Sequence, residues 1–146
     1  MALASAYRAA DDSPGLLLWQ VTNRWQSAQR AVLKPLGLTH VQFVLLASLV
    51  WLRADGPVTQ RQLADHAATD PMMTSQVLRA LERRGLVERT RHPVDRRARA
   101  LSATAEGRRL ANEAVIVVEA CDRAFFRTLP DQVAFINALR ALAAAQ

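Results

Sequence analysis

The 146-residue sequence predicts a mainly α-helical fold with one small β-hairpin. Three observations carry that prediction. Helix-opening signals (Ser13-Pro14, Thr39-x-x-Gln42, Thr59-x-x-Gln62, Asp70-Pro71 and Thr104) recur ahead of apolar residues at helical spacing. Turn formers close those segments at Pro35 and Gly37, at Ala54-Asp55-Gly56-Pro57 and at Gly85. The apolar period switches to two after Gly85 and returns to helical at Thr104.

The elements follow in order. Ser13 and Pro14 read as the cap and first residue of a helix over about 14 to 34, because Leu17, Val21, Trp25, Ala28 and Val32 follow at spacings of three and four. Thr39 and Gln42 form a capping box that opens HVQFVLLASLVWLR, a helix apolar nearly all round and so expected to be buried over most of its surface. A second box, Thr59 and Gln62, opens a short helix through about His66 that turns Leu63 and Ala64 inward. Asp70-Pro71 starts the next helix, which Gly85 ends. Two short helices meeting across Ala67 to Asp70 have the sequence form of a helix-turn-helix.

Beyond Gly85, LVERTR and RARALSA alternate on either side of His92-Pro93-Val94-Asp95, a link that suits a hairpin tip. On the second strand Arg97, Arg99 and Leu101 are expected to point one way and Ala98 and Ala100 the other. Thr104 caps a long helix to about Thr128, with Glu106 in the first turn, where the helix dipole favours an acid. Pro130-Asp131 starts a last, alanine-rich helix.

Charge is distributed unevenly along this framework. Residues 79 to 109 hold ten arginines against Glu82, Glu88, Asp95 and Glu106, which accounts for the whole net charge of +6; the remaining basic and acidic residues cancel. Arginine offers a planar fork of donors matched to phosphate and base edges, so a basic excess made of arginine points to nucleic acid. Apolar residues make up 51% of the chain, yet no uncharged apolar run approaches the ~18 residues of a membrane span. The N-terminal residues lack the pattern of a signal peptide, and a cytoplasmic location is expected.

Cys121 is alone and cannot close an intrachain disulfide; it reads as a small buried apolar residue in a reducing compartment. His40, His66 and His92 lie on three different elements without metal-ligand spacing, and neither a Gly-rich phosphate loop nor a nucleophile elbow is present. No metal, cofactor or catalytic set is expected.

A helix-turn-helix followed directly by a basic hairpin is a winged helix, in which the second helix enters the major groove of double-stranded DNA and the hairpin reaches the neighbouring backbone or minor groove. On that second helix Thr74, Val77, Leu78 and Leu81 form the core side. Met72, Ser75, Gln76, Arg79 and Arg83 form the outer side. An amide there pairs with adenine, and arginines pair with guanine or phosphate. Gln60, Arg61, Arg91 and Arg96 are expected to hold the DNA backbone, with Arg97 and Arg99 on the wing. Asp95 is expected to brace the wing by orienting a neighbouring arginine, the alternative being a plain turn residue; His92 belongs to the same solvated tip.

GLVERTRHPVDRRARALSATAEG, residues 85 to 107, closely resembles the wing signature of MarR-family transcriptional regulators. LTHVQFVLLASL and TQRQLADHAATDPMMTSQVLRALERRG are similar to the family's second to fourth helices. The resemblance implies a winged helix-turn-helix over 37–103, with flanking dimerisation helices in 1–36 and 104–146. It also implies a homodimer on a pseudo-palindromic operator, more often a repressor than an activator. By position, Ser75 and Gln76 match the base-reading part of the recognition helix, Asp95 the acid that braces the wing and Arg97 the arginine that enters the minor groove. Gln76, where many members have arginine, and Ala103-Thr104, where many have Leu-Thr, depart from the pattern.

Apolar stripes on the first and last helices, including AVIVVEA of residues 114 to 120, independently favour a closed two-fold dimer. The family commonly binds a small aromatic or anionic effector between the dimer helices and the winged helix, which makes Trp19, Trp25, His40 and Trp51 candidate ligand contacts. The alternative function is a winged-helix protein-interaction scaffold without sequence-specific DNA binding. Such modules tend to lose basic character on the recognition helix and wing, where this chain places all of its excess.

Overall fold

A computed structural model describes residues 1–145. Its helices are α1 (Pro14–Leu33), α2 (His40–Arg53), α3 (Gln60–Ala67), α4 (Pro71–Arg83), α5 (Ala105–Phe125) and α6 (Gln132–Ala143). The antiparallel strands β1 (Val87–Arg91) and β2 (Arg99–Ala103) lie between α4 and α5. Short 3-10 turns at Ala10–Asp12 and Lys34–Leu36 flank α1.

The predicted caps form. Side-chain oxygens of Ser13, Thr39, Thr59, Asp70, Thr104 and Asp131 accept from the third backbone N–H of their helices, satisfying donors that helix geometry leaves unpaired. Both threonine boxes are reciprocal: Gln42 and Gln62 accept in return from the backbone N–H of Thr39 and Thr59.

Helix α2 is the centre of the core. Its fully buried Leu45, Leu46 and Leu49 share one apolar cluster with Leu33 of α1, Leu63 of α3, Leu78 and Leu81 of α4, Leu101 of β2 and Leu110 and Ala114 of α5. The core therefore fixes α3, α4 and the hairpin against one helix, leaving their outer faces free.

Two expectations about facing are corrected. On α1 the fully buried residues are Gln29 and Leu33, whereas Leu17 and Val21 are about 40% exposed. The N-terminal part of the helix runs past the core, and α6 likewise buries none of its residues. In the hairpin, Arg97 and Ala98 belong to the tip turn and β2 begins at Arg99. Ala100 and Leu101, on opposite faces of the strand, are both buried. A one-residue bridge explains part of this, since Leu101 N–H donates to the Val58 carbonyl at 2.7 Å and ties the hairpin to the segment ahead of α3.

Gly85 takes a left-handed conformation (φ 72°) just past α4, which lets Leu86 N–H return to the Leu81 carbonyl at 3.0 Å and turns the chain into β1. Thr104 closes the opposite end of the hairpin: its hydroxyl donates to the Gly85 carbonyl at 2.6 Å and its N–H to the Leu86 carbonyl at 3.0 Å. Among the described residues no single helix is long and apolar enough to cross a membrane.

Candidate nucleic-acid interface

Helix α4 divides its faces as the spacing requires. Thr74, Leu78 and Leu81 are fully buried and Val77 half-buried, while Met72, Gln76, Arg79 and Arg83 are exposed and Ser75 is half-exposed. Thr74 is held by two hydroxyl contacts, to the Asp70 carbonyl at 2.8 Å and to Thr69 Oγ1 at 2.6 Å, so the polar group on the inner face is satisfied. The start of α4 is thereby locked to the turn that precedes it.

At the wing tip, Arg91, Arg96, Arg97 and Arg99 line an open cleft of about 690 Å³ together with His92 and Val94. Among the described residues the guanidinium groups of these four arginines, and those of Arg61, Arg79 and Arg83, make no ion pair or hydrogen bond within the chain. Seven fixed positive charges are thus available to an external anion.

The tip's shape is set through its main chain. Asp95 does not grip a guanidinium: its carboxylate accepts from the backbone N–H of Arg97 at 3.0 Å, an Asx turn that fixes where Arg97 leaves the chain. His92 is half-buried rather than a freely solvated side chain. Its Nδ1 accepts from the N–H groups of Val94 at 3.2 Å and Asp95 at 2.9 Å, which requires the tautomer protonated at Nε2.

Behind the exposed arginines lies a set that sequence reasoning missed. Arg89 on β1 donates from Nε to Glu82 of α4 at 2.9 Å and from its terminal nitrogen to the amide oxygen of Gln60 on α3 at 3.0 Å. Arg84, just past α4, donates to the Gly37 carbonyl at 2.7 Å and to Gln42 at 3.3 Å, pinning the end of α4 to the elbow between α1 and α2. The Gly-Leu-Val-x-Arg pattern contains Arg89, but nothing local separates a bracing arginine from a free one. Gln60 is accordingly half-buried and engaged, whereas the neighbouring Arg61 is exposed.

The four candidate ligand residues do not form one group. Trp25 and His40 meet edge to face with ring centroids 5.0 Å apart. Trp19 is 69% exposed and Trp51 65% exposed. Trp51 stands eleven residues beyond His40 on α2, roughly 16 Å along the axis.

The hydrogen-bond partner of Trp25 is Asp122 of α5, whose carboxylate accepts from the indole N–H at 2.8 Å and from the amide of Gln29 of α1 at 2.6 Å. Gln29 Oε1 is buried without a partner. Burial, reinforced by the positive charge of Arg30 and opposed by Asp122, holds the His40 imidazole below its usual pKa. The signal for this cluster is a polar residue four positions after an apolar one on each buried stripe, Gln29 after Trp25 and Asp122 after Val118. Cys121 beside it is half-buried, not enclosed, and its thiol pKa is raised by burial and by Asp122.

A helix-turn-helix packed on a central helix, followed by an arginine-rich hairpin, defines a winged-helix regulator of transcription. Residues 38–98 match the model of the MarR family. Over 139 residues the chain is 41% identical to the HTH-type transcriptional regulator YdcH of Bacillus subtilis, covering 94% of this chain and 95% of that protein. It is 39% identical over 137 residues to an HTH-type transcriptional repressor of Mycobacterium tuberculosis, covering 91% of this chain and 96% of the repressor. The crystal structure of CouR from Rhodococcus jostii RHA1 bound to p-coumaroyl-CoA superposes with a TM-score of 0.84 at 34% identity, over 96% of this chain and 98% of CouR. The chain belongs to the MarR family of transcriptional regulators.

Proposed function

We propose that this regulator binds a pseudo-palindromic operator as a homodimer and represses transcription from it. Seven unpaired arginines carry the reading: they lie on α3, on the outer side of α4 and at the wing, the three elements that a winged helix presents to DNA. Ser75, Gln76 and Arg79 read base edges or adjacent phosphates, with Met72 and Arg83 flanking them. Arg97 enters the minor groove from a tip shaped by Asp95, and Gln60, Arg61, Arg91, Arg96 and Arg99 hold backbone. Repression follows the character of the mycobacterial relative.

Residues 37–103 form the DNA-binding part in this reading, and 1–36 with 104–146 form the dimer. The support is the bare apolar surface of α1 and α6, where Leu17, Leu18, Val21, Phe135 and Leu139 line an open groove. An aromatic or anionic effector is part of the proposal, because CouR, similar over nearly its whole length, is bound to an aromatic acyl thioester. Trp25 and His40 are its best-placed contacts. A cytoplasmic location, with no catalytic activity, goes with this role.

The test is an anisotropy titration against a duplex from the chain's own upstream region and against a shuffled duplex, at two salt concentrations. Preference for the native duplex by ~10³-fold or more is expected of a sequence reader. Arg97→Ala should weaken binding and reduce the log–log salt slope by about 0.9 for each phosphate that the variant no longer neutralises. Weak, salt-independent binding to both duplexes would instead favour a protein-interaction scaffold.

A further inference from the structure

Arg89 sits in the middle of β1, yet its charge does not face outward with the others. Its side chain and that of Glu82 are 28% and 27% exposed, and the two are paired at 2.9 Å. One terminal nitrogen of the guanidinium donates to Gln60 Oε1, at the first position of α3. A glutamine amide normally offers either a donor or an acceptor, and which one faces a partner is settled by rotation of the amide. With its oxygen held by Arg89, Gln60 turns its NH2 group outward, and that group makes no hydrogen bond among the described residues.

We propose that Arg89 is a positioning residue for DNA binding: it fixes Gln60 as a donor-only group at the start of α3, suited to a backbone phosphate and unable to turn its oxygen toward one. This rests on the DNA-binding reading above. A donor at that place is reinforced by its setting, because the first-turn N–H groups of α3 carry partial positive charge and the exposed Arg61 lies beside it. A free amide would present its oxygen to the phosphate in part of its orientations, and that approach is repulsive. Arg89, neutralised by Glu82, touches no phosphate itself. Since Gln60 is uncharged, this contribution carries no counterion release, unlike that of the exposed arginines.

The consequence is a specific pattern in a double-mutant cycle of Gln60→Ala, Arg89→Met and the double variant, titrated by anisotropy against the native and shuffled duplexes at two salt concentrations. Gln60→Ala should weaken binding to both duplexes by about tenfold or more, as expected for loss of a hydrogen bond to a charged group, and Arg89→Met, which frees the amide without removing it, by a smaller factor, both with the salt slope unchanged. The double variant should bind no more weakly than Gln60→Ala alone. Gln60→Glu, whose carboxylate Arg89 would grip while repelling phosphate, should be worse than Gln60→Ala. Should Arg89→Met fail to fold, Arg89→Met combined with Glu82→Gln, which removes the carboxylate left without its partner, takes its place in the same cycle with the same criteria.

Additive losses, or a smaller salt slope on removing Arg89, would overturn the positioning role. Wild-type protein that binds neither duplex would overturn the DNA-binding reading itself, a result distinct from wild-type binding with additive losses.

Discussion

The indole of Trp25 donates to Asp122 at 2.8 Å across a sequence separation of 97 residues, and this bond fastens α1 to α5. Asp122 also holds the Gln29 amide, whose oxygen is already without a partner. Asp122→Ala would leave both donors unpaired and the fully buried Gln29 amide wholly unsatisfied. We expect a loss of about 2–3 kcal/mol in urea unfolding. Asp122→Asn, which retains an acceptor, should lose less. Equal losses for the two would point to the charge rather than to the hydrogen bonds.

His40, packed edge-on against Trp25, gives a pH signature. Burial first and Arg30 second lower its pKa from the usual 6.5, against the opposing pull of Asp122. As pH falls from 6.5 to the lowered folded value, the unfolded chain binds more protons than the native one, so stability declines. The neutral imidazole favours folding fully above pH 6.5, and the difference is lost below the folded pKa. Unfolding midpoints between pH 7.5 and 5 should therefore fall more steeply for the wild type than for His40→Gln. Parallel profiles would show that His40 titrates alike in both states.

Gly107, in the first turn of α5, lies flush against the main chain of Leu86. A Cβ there would stand 1.9 Å from the Leu86 carbonyl oxygen and 2.8 Å from its carbon. Backbone cannot move aside as a flexible side chain can, and the same carbonyl accepts from Thr104. Gly107→Ala should cost at least about 2 kcal/mol despite alanine's better helix propensity, read as a lowered Tm. An unchanged Tm would mean that α5 docks less closely than described.

Ala68 is the one non-glycine residue with positive φ among the described residues, at 53° in the turn between α3 and α4. Its side chain is exposed, so the left-handed conformation is not offset by packing of its methyl group. Ala68→Gly should raise stability by ~1 kcal/mol, the cost of placing an L-residue in that region, measured as a higher urea midpoint at unchanged slope. A destabilised variant would show that chain entropy outweighs strain at this turn.

Short-range grammar is legible in this sequence and long-range polar pairing is not. Thr39, Thr59, Asp70 and Thr104 announce their helices because a cap and its target lie three residues apart. The inner and outer faces of α4 follow from helical spacing for the same reason. Alternation alone carries Arg97 onto a strand because the pattern continues into the turn, whereas the Asp95 bond that shapes the turn depends on backbone direction. Burial of Ala100 on the second face, the Arg89 brace and the Trp25–Asp122 bond all depend on segments distant in sequence. Residue type groups Trp19 and Trp51 with Trp25 and His40; only helix phase and position along the axis separate them.

The division of α4 into two faces also bears on how such a regulator changes over generations. Thr74, Leu78 and Leu81 anchor the helix, while Met72, Gln76, Arg79 and Arg83 hold nothing in place. Exchanges at those four exposed positions leave the hydrophobic scaffold untouched, and surface substitutions of this kind usually alter stability by no more than about 0.5 kcal/mol. In the reading proposed above, a duplicated copy of the gene is therefore free to drift toward a new DNA target through stably folded intermediates, one side chain at a time.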